Sequence, residues 1–355
     1  MSLWVDKYRP RSLENLDYHY ELTKSFRSLA KSGDFPHLLL YGPSGAGKKT
    51  RVVCILRELF GAGVEKIKID ARAVQAGSRK VEFNLVTSAN HLEITPSDMG
   101  NQDRLIIQDL LKEVAQTQQV DVSAKKKFKV VVINEADSLT RDAQSALRRT
   151  MEKYSPNLRL ILLANSTSNI ISPIRSRTLL VRVPAPTSSE ISSVLNKVAT
   201  KEKVELPQSD EERQEVFNNI SKESGRNLRK ALLMFEAMYV QNDRITTSTQ
   251  IPPPDWEMVI NKIADDIIKD RNVNKLLEVR SAFYELISHC IPAPIVIKTL
   301  TFALMNKAPA NVSPDIVECA AFYSHRLRIG SKAIFHLEAF AARVMKLLEE
   351  ADMAA

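Results

Sequence analysis

HLLLYGPSGAGKKT, residues 37–50, is a short apolar run that feeds a glycine-rich loop and then a helical stretch. Few segments restrict a fold so tightly. A G-x-x-x-x-G-K loop holds phosphate when a buried strand delivers it and a helix leaves it, because the binding groups are backbone N–H groups and the helix N-terminus. Gly42, Pro43, Ser44, Gly45, Ala46, Gly47 and Lys48 fill that pattern. From Gly47 to Phe60 the spacing predicts a helix with Val52, Val53, Leu56, Leu59 and Phe60 on one face. KIKID (66–70), FKVVVI (128–133), LRLILLA (158–164) and TLLVRV (178–183) read as further strands, apolar on both faces and separated by helices. Such runs specify an α/β core whose parallel sheet is covered on two sides. VEFNLVTSANHLEIT (81–95) alternates about a Ser-Ala-Asn centre and is expected to form a β-hairpin.

The core is expected to occupy residues 1–186, closing at PAPT (184–187), and a small helical domain residues 187–246. TSTQIPPPDW (247–256) reads as a linker, since consecutive prolines cannot continue a helix. Residues 257–355 repeat apolar positions at helical spacing, as in KAIFHLEAFAARVMKLL (332–348), and are expected to form an all-α domain. No apolar run is long enough for a membrane span, and MSLWVDKYRP lacks the features of a signal or transit peptide, so an intracellular protein is expected. The three cysteines and six histidines show no disulfide or metal-ligand spacing, so no bound metal is expected from them. A net charge of +8 favours a polyanionic partner. The lysine run 125–127 reads as a solvated loop, with DNA contact as the other reading.

The chemistry departs from the loop's usual pattern at two places. The position after Lys48 ordinarily supplies a Ser or Thr hydroxyl to Mg²⁺, and here it is Lys49. In VVVINEADSL (130–139) the place of the metal-binding aspartate is Asn134, while Glu135, suited to polarising water, is intact. Both changes fall on one ion, which points to hydrolysis abandoned or greatly slowed. One carboxylate lost and one ammonium gained would leave the site more positive, so ADP or ATP could bind with magnesium dispensable. That holds if Lys49 turns toward the phosphates rather than outward. Thr50 offers a hydroxyl one place late, about 100° further round the helix.

WVDKYRP, GPSGAGK, INEAD, TRDAQSALRRTMEKYS, ANSTSNIISPIRSR and NLRKAL occur in the order found in small subunits of replication factor C type clamp loaders. The chain resembles that AAA+ family over nearly its whole length, and most closely the small subunit whose own ATPase site is degenerate. The resemblance implies an AAA+ core, a helical lid and an all-α oligomerisation collar. It places Val5, Tyr8, Arg9 and Pro10 near the adenine, with Leu16 and Asp17 closing the pocket. The bland reading of Trp4 and Tyr8, an anchored terminus, is compatible with this. Asn165 stands at the first sensor and Arg229 at the second, although Arg226-Asn227 replaces the family's Gly-Asp just before it. SRT (176–178) stands where the family has Ser-Arg-Cys, which makes Arg177 the finger reaching a neighbour's ATP site, with Arg175 the competing choice. In GNQDRLIIQDLLKEV (100–114), Arg104 matches a DNA phosphate contact, and Leu110 replaces a second arginine. Arg148 and Arg149 fit a subunit interface or DNA, the interface being preferred.

The resemblance implies one function, and the residues read alone leave a second open. In the first, the chain is a nucleotide-binding, weakly or non-hydrolysing subunit of a nuclear clamp loader. It works with sister subunits, a ring-shaped sliding clamp and primer–template DNA, and Glu135 is vestigial. In the second, it is a self-sufficient DNA-dependent P-loop motor that uses Thr50 and Glu135.

Overall fold

The computed structural model describes residues 2–76, 79–95, 103–116, 128–242, 244–330 and 332–354. The lysine run 125–127 and residues 100–102 lie outside them. The chain divides into two compact units, Met1–Ile251 and Pro252–Ala355.

In the first unit, α1 (Trp4–Lys7) and α2 (Tyr20–Ser32) precede β1 (Leu38–Tyr41) and α3 (Lys48–Phe60). Three strands follow, β2 (Lys68–Ala76), β3 (Arg79–Thr87) and β4 (His91–Ile94), and then α4 (Asp103–Gln116). The core continues through β5 (Lys129–Ile133), α5 (Arg141–Tyr154), β6 (Leu158–Ala164), α6 (Ser172–Arg175) and β7 (Leu179–Arg182). The strands form one seven-stranded sheet in the order β2-β3-β4-β5-β6-β1-β7. Pairing is parallel from β4 through β7 and antiparallel for β2–β3 and β3–β4.

Alternation along each central strand explains the layering. Leu39, Val131, Ile133, Leu160 and Leu162 face a core built with α4 and α5. Their neighbours Leu38, Leu40, Val130, Val132, Ile161 and Leu163 face the opposite core, built with α2 and α3. A two-residue period thus fills both sides of one sheet. The expected hairpin exists as β3–β4, with Thr87 opposite Leu92, but β4 also pairs in parallel with β5 and belongs to the central sheet. KIKID extends into a longer strand that pairs with β3 along its whole length. At the other edge β7 has one strand neighbour, and Leu179 and Leu180 stay 46% and 42% exposed, contrary to a strand covered on both faces.

Thr187 caps α7 (Ser188–Glu202) in a reciprocal box with Glu190. With α8 (Asp210–Glu223) and α9 (Leu228–Gln241), α7 encloses a small core around Leu195, Phe217 and Phe235. Trp4 enters that core edge-on to Phe235, 5.5 Å between ring centres, so the N-terminal segment is docked on the lid.

The second unit is all-helical: α10 (Asp255–Lys269), α11 (Val273–Ser288), α12 (Ala293–Lys307), α13 (Ser313–Ile329) and α14 (Ala333–Ala354). These helices close around Ile267, Phe283, Leu300, Leu337 and Phe340, all fully buried.

Candidate nucleotide site

Sheet register assembles the rim of the site. Tyr41 is opposite Ala164, Ile133 is opposite Leu162, and Ile94 is opposite Ile133. The residues just past these ends, Gly42, Thr95, Asn134 and Asn165, therefore emerge along the carboxyl edge of the sheet. That edge, where the chain crosses between strands, is where open α/β sheets bind ligands. A cleft of about 950 Å³ opens there between core and lid.

Ser44, Gly45, Gly47, Lys48, Lys49 and Thr50 line the cleft, while Gly42 and Ala46 are buried and Pro43 is exposed away from its walls. Lys48 is curled onto its own loop. Its Nζ donates to the carbonyls of Gly42 (2.6 Å) and Pro43 (2.9 Å) and to Asn165 Oδ1 (3.0 Å). Burial lowers its pKa, with Asp137 opposing that shift and Arg229 adding to it. The backbone N–H of Asn165 donates to Asp137 at 3.1 Å, which holds Asn165 beside Lys48. Glu135 lines the cleft in a left-handed conformation, φ 47°.

The two altered positions meet in space. Lys49 Nζ pairs with Glu93, and Asn134 Nδ2 donates to the same carboxylate oxygen at 2.7 Å and to Thr95 Oγ1 at 3.2 Å. Glu93, next to last in β4, is 9% exposed. The expected surplus of positive charge is corrected by this contact, because the Glu93 carboxylate offsets the Lys49 ammonium.

At the far end Val5, Tyr8, Arg9, Pro10 and Asp17 line the cleft, whereas Leu16 is 6% exposed and lies in the core under α3. Leu16 thus supports the pocket floor and does not close its wall. Tyr8 Oη donates to Glu202 at 2.5 Å, which holds its hydroxyl pKa above the usual value. Lys197 ties Asp17 to the lid at 2.5 Å. From the lid, Val194, Val198, Leu228, Arg229 and Leu232 complete the walls. A side chain on Gly45 would collide with Asn227 Oδ1, so loop and lid touch at that point. Arg226, at φ 62°, donates to Pro186 O (2.9 Å) and Ala185 O (3.2 Å) in the segment between β7 and α7.

Known proteins are similar to the chain over nearly its whole length. Residues 256–352 match the model described as replication factor C subunit 3, C-terminal domain. Residues 193–240 match an RCF1/5-like AAA+ ATPase lid domain, and 18–187 a DNA polymerase III delta subunit model. Replication factor C subunit 5 of Neurospora crassa is 63% identical over 350 residues, 98% of each chain. Human replication factor C subunit 3 is 51% identical, over 99% of this chain and 97% of its own. The chain belongs to the replication factor C subunit family. A RuvB mutant from Thermotoga maritima shares the fold, with a TM-score of 0.51 at 18% identity, over 74% of this chain and 80% of that one.

An AAA+ fold usually takes its nucleotide with magnesium, and the residues here can be tested against both. The open loop, Lys48 and the lined cleft fit a nucleotide. The metal's usual side-chain ligands do not fit: an ammonium stands at one place and an amide at the other, both engaged by Glu93. Among the described residues no group of three or more His, Cys, Asp or Glu side chains is arranged to hold a metal ion.

Arg104, Arg175 and Arg177 lie outside the cleft walls. Arg177 bonds Glu152 through Nε at 2.8 Å and the carbonyl of Pro173 through Nη1 at 3.0 Å, with its side chain 39% exposed. Arg104 is exposed on α4, whereas Leu110 is 3% exposed and packed into the sheet core. An arginine at 110 would therefore not share the solvent face with Arg104. Sequence reasoning missed Glu93, whose one signal was a carboxylate inside an apolar strand. It also missed Arg51, discussed below. No helix among the described residues is long and apolar enough to cross a membrane.

Proposed function

We propose that the chain is a nucleotide-holding subunit of a nuclear DNA sliding-clamp loader, with little or no hydrolysis of its own. It would assemble with sister subunits through its helical C-terminal unit, engage a ring-shaped clamp and primer–template DNA, and lend Arg177 to a neighbour's ATP site. Clamp loading is the work of the replication factor C family to which the chain belongs.

The observation that most supports a non-hydrolysing role is the convergence of Lys49 and Asn134 on Glu93. Two positions that ordinarily face one metal ion face one carboxylate instead. Lys48, the loop N–H groups and the start of α3 still offer positive potential to phosphate. In this reading ADP or ATP is held as a fixed part of the subunit and sets the angle between core and lid. Arg177 would leave Glu152 to meet the neighbour, a small cost, since exposed ion pairs are worth about 0.2–1 kcal/mol.

The test is calorimetric titration of the purified full chain with ADP, in excess EDTA and again in magnesium, together with its ATP turnover. Similar affinity under both conditions and negligible turnover support the proposal. Binding that vanishes on chelation sinks it. The second reading, a self-sufficient motor, rests on Glu135 at the cleft wall; DNA-stimulated turnover by the isolated chain would favour it.

A further inference from the structure

Arg51 lies one turn into α3 and is completely buried. Its guanidinium stacks on the Tyr18 ring at 4.5 Å, and Nη2 donates to the Tyr18 carbonyl at 3.0 Å. Nη2 also lies 3.3 Å from His19 Nδ1. Burial, and then the charge of Arg51, lower the His19 pKa, against the opposing charge of Glu190, so the neutral imidazole is favoured beside the guanidinium. Nε and Nη1 have no hydrogen-bond partner among the described residues. Glu190, 3.9 Å from His19 Nε2, is engaged by the backbone N–H groups of His19 and Thr187. A charged side chain is rarely buried without a counter-ion, because desolvation of the ion has to be offset.

The bare edge of this guanidinium is placed against the phosphate loop. A Cβ on Gly47 would stand 3.2 Å from Arg51 Nη1 and 2.1 Å from the Tyr18 hydroxyl. Gly47 itself lines the cleft, and Arg51 does not. Arg51 therefore sits behind the loop at the place where the loop turns into the helix. Side chains on a helix slant toward its N-terminus, which carries this charge in the same direction as the helix dipole.

We propose that Arg51 is a buried counter-charge for the phosphates of the bound nucleotide, and that a di- or triphosphate is in turn the anion that offsets Arg51. The phosphate chain would be recognised from both sides: by Lys48 and the loop N–H groups directly, and by Arg51 through the loop. This rests on the nucleotide-binding reading above and extends it. The nucleotide becomes part of the folded subunit, and its phosphate affinity persists without a metal ion.

The test uses the full chain stripped of nucleotide, in EDTA, with ADP, inorganic pyrophosphate and adenosine as separate probes. Wild type is expected to melt higher with ADP or pyrophosphate than without, and adenosine should raise its melting temperature far less. In Arg51→Met the nucleotide-free chain should melt at or above wild type, while ADP and pyrophosphate affinities fall by about tenfold or more. Arg51→Gln, which can keep the bond to the Tyr18 carbonyl, should show the same loss. A purely structural arginine gives the opposite pattern, with lower melting and unchanged ADP affinity, and that result in either variant overturns the proposal. So does a wild-type chain that binds ADP but ignores pyrophosphate. If wild type binds no ADP even with magnesium, the nucleotide-binding reading itself has failed.

Discussion

Lys48 and Lys49 are neighbours in sequence and end in opposite surroundings. Lys48 is drawn back over its own loop, held by carbonyl oxygens and the Asn165 amide, all neutral acceptors. The Asp137 carboxylate offsets part of its charge, and the rest is available to an anion. Lys49 turns toward the sheet edge and is neutralised by Glu93. The phosphate half of the rim is thus open for business with a ligand, and the metal half is closed on itself. The difference separates two tasks that one motif ordinarily performs together, holding a nucleotide and activating it.

The strongest expected effect lies outside the cleft. If this subunit serves a neighbour's site, Arg177→Ala should leave its own ADP binding and its assembly with sister subunits intact. Hydrolysis at the one adjacent site should fall by about 10³-fold or more, the scale on which arginine fingers act. Single-turnover measurements on the assembled loader, with DNA and clamp present, would resolve that site from the others. Arg175→Ala should do much less, and equal effects would remove the donor role from Arg177.

Within the cleft, Lys48→Ala removes the free charge of the open half. Hydrogen bonds to charged groups are worth about 1.5–3 kcal/mol, so ADP should bind roughly 10- to 150-fold more weakly by calorimetry. Unchanged affinity would mean that the loop, and not the lysine, supplies the phosphate contact. Lys49→Thr combined with Asn134→Asp reopens the closed half by restoring the usual metal ligands. In that double variant EDTA should weaken ADP binding by about tenfold, or 1.4 kcal/mol, whereas wild type should be nearly indifferent. A double variant as insensitive to chelation as wild type would show that the Glu93 contact does not govern metal dependence.

How much of this was legible beforehand depends on which force placed each residue. The central strands were readable because both faces of β1, β5 and β6 are buried, and continuous apolar runs have few other uses. The full length of the β2–β3 ribbon was not, since Ile67 and Ile69 are exposed and KIKID marks only the start of β2. The phosphate loop could be recognised from local spacing alone. Glu93 could not, because only the parallel register of β4 against β5 brings it beside Asn134 and within reach of Lys49. Arg51 failed for the reverse reason. On a helical wheel an arginine is assigned to solvent, and here it is buried against Tyr18 beneath the loop.

The weakest expected effect tests the outer face of α4. Arg104 is exposed there while Ile106, Ile107, Leu110 and Leu111 are buried, so the helix presents one polar face and one core face. A guanidinium on that face can neutralise a phosphate without reading a base, and each such contact releases about one counterion from duplex DNA. Arg104→Ala in the assembled loader should therefore reduce the slope of log affinity against log salt by about one unit. Because Leu110 is committed to the core, no second contact six residues on compensates for the loss. Between 50 and 200 mM salt the variant's affinity should change by roughly threefold less than wild type's, and similarly for unrelated DNA sequences. Fluorescence anisotropy with two primer–template duplexes of different sequence is sufficient. An unchanged slope would put Arg104 away from the nucleic acid, and a loss confined to one sequence would mean that α4 reads bases instead of following the phosphate backbone.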